Sequence, residues 1–369
     1  MRLTIEKGQL IQSLGIISKG MSSRSTLPIL SGIHLETEGG SLVFRTTDLE
    51  ISIQHSVPVL VEREGATVVP GKLFTDIVKS FPEAAVVLDL KDEDLTVSCM
   101  DSVFNVHTLN PMDFPLFPQI EAKPTGTIPS DIFSSMIRKV VKAVSKDESR
   151  AILTGILVKL EGSTLQLVAT DSYRLAIAKN RLEKTSDIKG EIDLIVPGDV
   201  LDEIRRLIAT QKEVTISDSE NQIVFTFGDT IFITRKIEGS YPNYEAIIPT
   251  ENTISAVLET ARLLDAVKRV SITAQSHTPI RFTFDINTQS IEVSSKTQDV
   301  ASAHDMLEAQ IEGEDLEIGF NHQYIIDGLT AIDTNEVLFE AQTSLKPGIL
   351  KAVGEDYFFY LTMPVRIDS

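Results

Sequence analysis

The sequence predicts an α+β protein of three repeated domains, each made of two helices packed on an antiparallel sheet. Three observations carry that expectation. A segment recurs at an offset of 123 residues, one third of the 369-residue chain. Amphipathic stripes with helical spacing take turns with short runs of strand-like alternation. Proline clusters punctuate the chain near the points where such a repeat would divide it.

The repeat is read directly. Ile29-Leu30-Ser31-Gly32-Ile33 leads through Glu38-Gly39 and Leu42 to Thr47-Asp48, and Ile152-Leu153-Thr154-Gly155-Ile156 leads through Glu161-Gly162 and Leu165 to Thr170-Asp171. Aligned without gaps, residues 29–53 and 152–176 share 9 of 25 identities, enough to call them copies. A third copy is fainter: Phe284 and Ile291 are spaced like Leu35 and Leu42, and Ser290 matches Ser41, without a Thr-Asp pair. The period points to a stacked or repeated architecture.

The elements follow in order within each copy. A first helix precedes the Gly-bearing strand. In the second copy Ile132, Met136 and Val140 lie along one stripe with Phe133, Ile137 and Val141, and in the third Leu258, Ala261, Leu264 and Val267 are expected to do the same. Alternating runs such as Leu42-Val43-Phe44-Arg45, Gln222–Phe227 and Ile280–Phe284 read as half-buried antiparallel strands. A second helix opens after Val69-Pro70-Gly71, Val196-Pro197-Gly198 and Phe320-Asn321, where Pro loses no needed hydrogen bond and Asn321 caps. Five prolines in residues 111–129, then Pro242 and Pro249, set the expected domains at 1–122, 127–249 and 250–369.

Composition narrows the function. At 42% hydrophobic and 24% charged the chain is globular, and no apolar run approaches the ~18 residues of a membrane span. Cys99 is the only cysteine, which excludes an intramolecular disulfide and a Cys-based zinc site, and a cytoplasmic home is expected. The net charge of −19 argues against a surface that embraces phosphates everywhere. Charge is segregated, however. The helix windows 8–19, 71–80, 130–145, 198–209, 259–270 and 321–330 hold eleven Lys or Arg against eight Asp or Glu, with acids biased to the helix starts. Helices gathered on one side would make that side cationic.

Catalysis finds little support. The six histidines are scattered, and no nucleotide-binding, zinc-protease or serine-hydrolase motif occurs, so neither cofactor nor metal nor catalytic residue is expected. Asp48 and Asp171 recur at equivalent places and could act as acids or bases. An Asp after Thr at a strand end more often accepts backbone hydrogen bonds in a turn.

Four ordered motifs carry a family resemblance: Thr26-Leu27-Pro28-Ile29-Leu30, Ala169-Thr170-Asp171-Ser172-Tyr173-Arg174-Leu175-Ala176, Ser240-Tyr241-Pro242-Asn243-Tyr244 with Ile248-Pro249, and Met363-Pro364-Val365-Arg366. Together they resemble the bacterial DNA polymerase III beta subunit, the sliding clamp family, over the whole chain. The resemblance implies a head-to-tail homodimeric ring around double-stranded DNA, with helices lining the hole and sheets outside. A contact that closes after two subunits uses different surfaces at the two chain ends, so domain 1 is expected to meet domain 3, through Phe104 and Ile272. Arg24 matches a DNA-facing loop residue of the family. By the helix reading the lining also includes Lys72, Lys139, Lys142, Arg205, Arg206, Lys268 and Arg269. Topology, not grip, would hold the DNA, since each neutralised phosphate adds affinity that slows translocation.

The family also has a peptide pocket between domains 2 and 3 that receives short motifs of the replicative polymerase, clamp loader and repair proteins. The matching positions are Leu153, Thr170, Ser172, Tyr173, Arg174 and Leu175, then Pro242 and Ile247, then Pro347, Leu361, Met363, Pro364, Val365 and Arg366. Apolar members would form the wall, while Arg174, Thr170 and Arg366 orient the peptide. Ser172 and Tyr173 stand where many relatives carry Gly and His. The competing readings are a repeat-built hydrolase or transferase using Asp48 and Asp171, and a protein-binding scaffold without DNA.

Overall fold

The computed structural model describes residues 1–22, 27–118, 123–182, 191–274 and 278–367. Its six helices are α1 (Lys7–Ile17), α2 (Gly71–Ser80), α3 (Ser130–Val140), α4 (Gly198–Leu207), α5 (Thr260–Ser271) and α6 (His322–Thr330), two to each third of the chain. Each of α2, α4 and α6 follows the expected Pro-Gly or Phe-Asn junction. The Asn321 side chain caps α6, accepting from the backbone N–H groups of Gln323 and Tyr324. In α3, Phe133, Met136, Ile137 and Val140 form the buried stripe. The third-copy stripe is out of phase with expectation: Leu258 lies in a strand, Ile254–Glu259, and α5 buries Leu263, Ala266, Val267 and Val270 in place of Ala261 and Leu264. The apolar text of strand and helix runs on without a break there, so spacing alone misplaces the stripe, although the expected window 259–270 lies within one residue of the helix.

The chain folds into two compact units. Among the described residues, one takes in 1–131 and 207–236, the other 132–182, 191–206 and 237–367. The first holds a five-stranded sheet, in the order 60–63, 2–6, 85–91, 94–99, 102–107, and an eight-stranded sheet, in the order 123–129, 213–218, 222–227, 230–235, 51–58, 41–47, 32–38, 66–70. The second holds a nine-stranded sheet, in the order 192–197, 155–161, 164–170, 174–181, 358–362, 348–352, 336–341, 254–259, 310–313, and a four-stranded sheet, in the order 301–308, 290–297, 280–285, 316–320. Every strand pairing among the described residues is antiparallel. Buried leucine, isoleucine, valine and phenylalanine on the inner faces make the cores, with Phe282, Phe284, Phe320 and Phe339 clustered in the second unit.

The large sheets arise because strands pair across the expected domain limits. Thr230–Arg235 pairs with Ile51–Pro58, with Thr230 opposite His55. Phe358–Thr362 pairs with Arg174–Arg181, with Phe358 opposite Ala178. Shifting the first ladder by 128 residues on one strand and 123 on the other gives the second, so the two junctions are copies in register as well as in sequence. The middle third therefore contributes its strands to both units.

Candidate functional site

Chemistry gathers at the strand end Thr170–Arg174. Asp171 Oδ1 accepts from the N–H groups of Tyr173 (2.9 Å) and Arg174 (3.0 Å), Thr170 Oγ1 donates to Arg174 O (2.6 Å), and Ser172 N–H donates to Thr170 Oγ1 (3.1 Å). The first copy repeats this turn: Asp48 Oδ1 accepts from Glu50 and Ile51, and Thr47 Oγ1 accepts from Leu49. The middle residues, Leu49 (φ 80°) and Ser172 (φ 79°), both adopt a left-handed conformation that usually falls to glycine. Each aspartate thus engages its Oδ1 with local backbone, as an Asx turn does.

Arg174 is the centre of a nearly buried cluster. Its Nε donates to Asp171 Oδ2 (3.0 Å) and its Nη1 to Asp327 Oδ2 (2.6 Å) and the Tyr360 hydroxyl (3.4 Å), while the guanidinium lies 4.3 Å from the centre of the Tyr324 ring. Burial opposes the charge, but Tyr360, Asp327 and Asp171 outweigh it and the guanidinium pKa is raised. Burial pushes the Tyr360 hydroxyl well above its ordinary value, so it serves as a neutral partner. Arg174 Nε and Nη1 and the Thr170 hydroxyl are engaged within the protein, and both side chains shape the floor. Sequence reasoning missed Asp327, Tyr324 and Tyr360. One signal was present, since Asp327 is the sole Asp, Glu, Lys or Arg in α6.

Around the floor the expected positions separate into two classes. Leu175 and Leu361 are fully buried and belong to a core cluster with Leu157, Val168, Ile177 and Ile195. Pro347 is buried as well. The surface positions are Tyr173 (59% exposed), Ile247 (46%), Met363 and Val365 (38% each), with Pro242 also exposed, whereas Leu153 is buried near the end of a short helical turn. Met363 N–H donates to Tyr173 O (2.8 Å) and Val365 N–H to Gly319 O (2.8 Å), which ties the terminal segment, Pro364 included, beside the turn. Arg366 is exposed and, with Val365, lines a polar cavity of about 760 Å³ that also includes Arg281, Glu292 and Lys296. Exposed apolar side chains of this size, anchored by backbone on a rigid sheet end, suit an extended apolar peptide.

The first copy does not reproduce this surface. Positions of Leu157, Val168 and Ile177, packed beneath Tyr241, Tyr244 and Ile248, are taken 123 residues earlier by His34, Arg45 and Gln54. These line a cavity of about 330 Å³ under Pro111–Phe117. Arg45 is spent on Glu36, Glu38 and Gln54, and His34 Nδ1 is buried without a hydrogen-bond partner among the described residues. Polar replacement of an apolar face explains why the turn occurs twice but the apolar site once.

The cationic candidates fare unequally. Arg24 lies outside the described residues. Lys72, Lys142 and Lys268 are exposed and have no ion-pair partner among the described residues. Arg205 pairs with Asp202 (2.8 Å), Arg206 with Asp202 and Glu203, and Arg269 Nε donates to Asp305 (2.9 Å). Lys139 is a correction: it is 8% exposed, pairs with Asp333 (3.2 Å) and lies 3.7 Å from the centre of the Tyr357 ring, and burial lowers its pKa. Phe104 (40% exposed) lies in the edge strand Ser102–His107 and packs on Phe81, and Ile272 (83% exposed) follows α5. No helix among the described residues is long and apolar enough to cross a membrane.

Comparison with known proteins matches three family models in order. They are the DNA polymerase III beta subunit N-terminal domain over residues 1–118, its central domain over 127–243 and its C-terminal domain over 245–366. The chain is 32% identical to the beta sliding clamp of Streptomyces coelicolor over the full length of both, and 31% identical to that of Bacillus subtilis over 99% of this chain and all of the relative. Among solved structures it superposes on the Bacillus subtilis DNA polymerase sliding clamp with a TM-score of 0.94 at 30% identity, each chain covered entirely. A sliding clamp from Pseudomonas aeruginosa bound to griselimycin gives 0.93 at 27% identity, again over both whole chains.

Proposed function

From a chain that belongs to the DNA polymerase III beta subunit family, the beta sliding clamps, we propose a homodimeric ring that encircles duplex DNA and tethers replication and repair proteins through the Thr170–Arg174 site. The observation that carries the ring is the repeated junction. Two of three possible ladders are made within the chain. The strands left over are Ser102–His107, which lies 128 residues before Thr230–Arg235, and Ala301–Glu308, which follows its hairpin partner as Ile51–Pro58 does. Each is the last strand of its sheet, and each is largely exposed where its counterparts are buried. An open edge invites another strand, and the unused pair belongs to opposite ends of the chain, so a second copy satisfies both edges head to tail. Phe104 and Ile272 sit at these two ends and supply apolar contact.

DNA passes through without being gripped. Ion pairs on α4 and between α5 and the 301–308 strand cancel much of the helix charge, which leaves Lys72, Lys142 and Lys268, of the lining candidates, without an ion-pair partner among the described residues and keeps the number of phosphates neutralised small. The acidic total discourages binding elsewhere. The role is that of a processivity factor and not an enzyme, performed in the cytoplasm on three domains near 1–122, 127–249 and 250–369. Partners dock by short apolar motifs against Leu153, Tyr173, Pro242, Ile247 and Met363 to Arg366, over a floor of Thr170, Ser172, Arg174, Leu175 and Leu361.

Retention tests the reading. After loading, the protein is expected to stay on nicked circular DNA and to run off linear DNA; equal retention on both removes the topological account. For the pocket, a labelled Gln-x-x-Leu-x-Leu peptide is titrated, and unchanged affinity after Met363→Ala with Arg174→Ala refutes it.

A further inference from the structure

The strap that covers the first copy's sheet is tied down less firmly than its counterpart in the second. At an offset of 127, Phe114-Pro115-Leu116-Phe117 stands where Tyr241-Pro242-Asn243-Tyr244 stands later. In the second copy the Tyr244 hydroxyl accepts from Gln166 Nε2 (2.6 Å), and the strap packs on an apolar floor. Phenylalanine in both places leaves the first copy without that hydroxyl. From Pro115 to Phe117 the first strap makes no backbone hydrogen bond among the described residues, and of residues 109–117 only Phe114 is buried. Phe114 rests on His34, the ring centres 5.3 Å apart. His34 lies between Val68 and Arg45 of the two neighbouring strands, and its buried Nδ1 has no hydrogen-bond partner among the described residues. A neutral imidazole leaves only a lone pair idle there. An imidazolium places an N–H there that needs an acceptor, and Phe114 offers a ring face but no acceptor. Burial is the chief influence on the ring and disfavours the charged form; Arg45 adds to it, while Glu36 and Glu38 oppose it. Those two carboxylates already bond Arg45 and stand partly in water, so the balance holds the His34 pKa below 6.5. The remaining neighbours, Gln54 and Val68, are neutral, and Asp113 on the strap is exposed.

We propose that His34 is a pH-operated latch: neutral, it seats Phe114 and holds the strap 110–117 on the sheet; protonated, it draws in water and releases the strap. The cavity of about 330 Å³ beneath Pro111–Phe117 gives that water its path. Because the closed site disfavours the proton, acid shifts the population toward the open form, and the shift sets in below pH 6.5. The closed form belongs to neutral pH. Histidine and strap both lie in the first unit, so the latch works within a single chain.

The chain has no tryptophan, so Phe117→Trp places a single fluorescent reporter on the strap of the full-length protein, and Phe114→Trp a second one at the latch itself. Acrylamide quenching is measured from about pH 7.5 to about 5.5, with the lifetime taken at each pH to give the bimolecular quenching constant. That constant is expected to rise about threefold, with its midpoint below pH 6.5. In either reporter background His34→Leu and His34→Gln, which cannot take the charge, are expected to keep the neutral-pH value throughout. A Tyr244→Trp reporter on the second strap is expected to stay flat as well. Melting temperature and circular dichroism at neutral pH, matched to wild type, identify the folded variants. A quenching constant that does not change with pH at the strap reporters overturns the latch. A rise that persists in either His34 variant does so too, since the proton then binds elsewhere. An equal rise at Tyr244→Trp marks general loosening and has the same consequence.

Discussion

His34 shows how one side chain departs from its copy. Its counterpart is Leu157, at the heart of an apolar cluster, yet His34 is 8% exposed with an unpartnered Nδ1 and a ring 5.3 Å from that of Phe114. Burial lowers its pKa from 6.5, and burial lowers that of His55 too. With folded values below the unfolded one, the unfolded chain binds protons first as pH falls. Stability is therefore full above about pH 6.5 and declines as pH drops from there through the folded values. His34→Leu is expected to stabilise the first unit by about 1–2 kcal/mol, through loss of an unsatisfied buried polar group, and to flatten this decline in urea unfolding between pH 7 and 5. An unchanged slope assigns the decline elsewhere.

At the scale of the element, α4 illustrates a balance that charge counting misses. Its sequence, Gly-Asp-Val-Leu-Asp-Glu-Ile-Arg-Arg-Leu, reads as a helix with acids first and bases last, in line with the helix dipole. Folded at helical spacing, Asp202 reaches both Arg205 and Arg206, so one acid restrains two cations. Half-exposed and exposed pairs of this kind add little stability, and their larger effect is on the charge offered to a polyanion. Asp202→Asn is expected to leave the melting temperature within about 2 °C. The same change should raise affinity for short duplexes at low salt and steepen its salt dependence. Tracking of single molecules on stretched DNA then shows slower diffusion; unchanged diffusion and salt slope place α4 away from the DNA.

For the whole molecule the decisive feature is edge strands. A chain whose internal repeats pair twice and leave a third pair unmade has open edges that the second copy of the proposed ring would cover, because unpaired N–H and C=O rows are satisfied only by another strand or by water. The variant Phe104→Asp with Ile272→Asp sets charge at both ends of that contact. It is expected to halve the solution mass in light scattering and to abolish retention on nicked circles, while the fold and peptide binding persist. A variant that stays dimeric and retained shows that the contact lies elsewhere.

Legibility followed the range of the interactions. The 123-residue repeat, the six helices, the caps and the Thr-Asp turns were readable, since each depends on residues close together in the chain: spacing, turn hydrogen bonds and capping are local physics. The buried face of α5 was not, because strand and helix share one apolar run and only packing decides which side chains turn inward. The Arg174–Asp327 pair joins positions 153 apart, and the burial of Lys139 depends on Asp333 and Tyr357 from the last third of the chain. Sequence by itself determined the copies and their composition. Only the tertiary structure decided which cations are paired, which carboxylates pair with them, and which strands end their sheets, since each is a property of groups that meet only after the chain has folded.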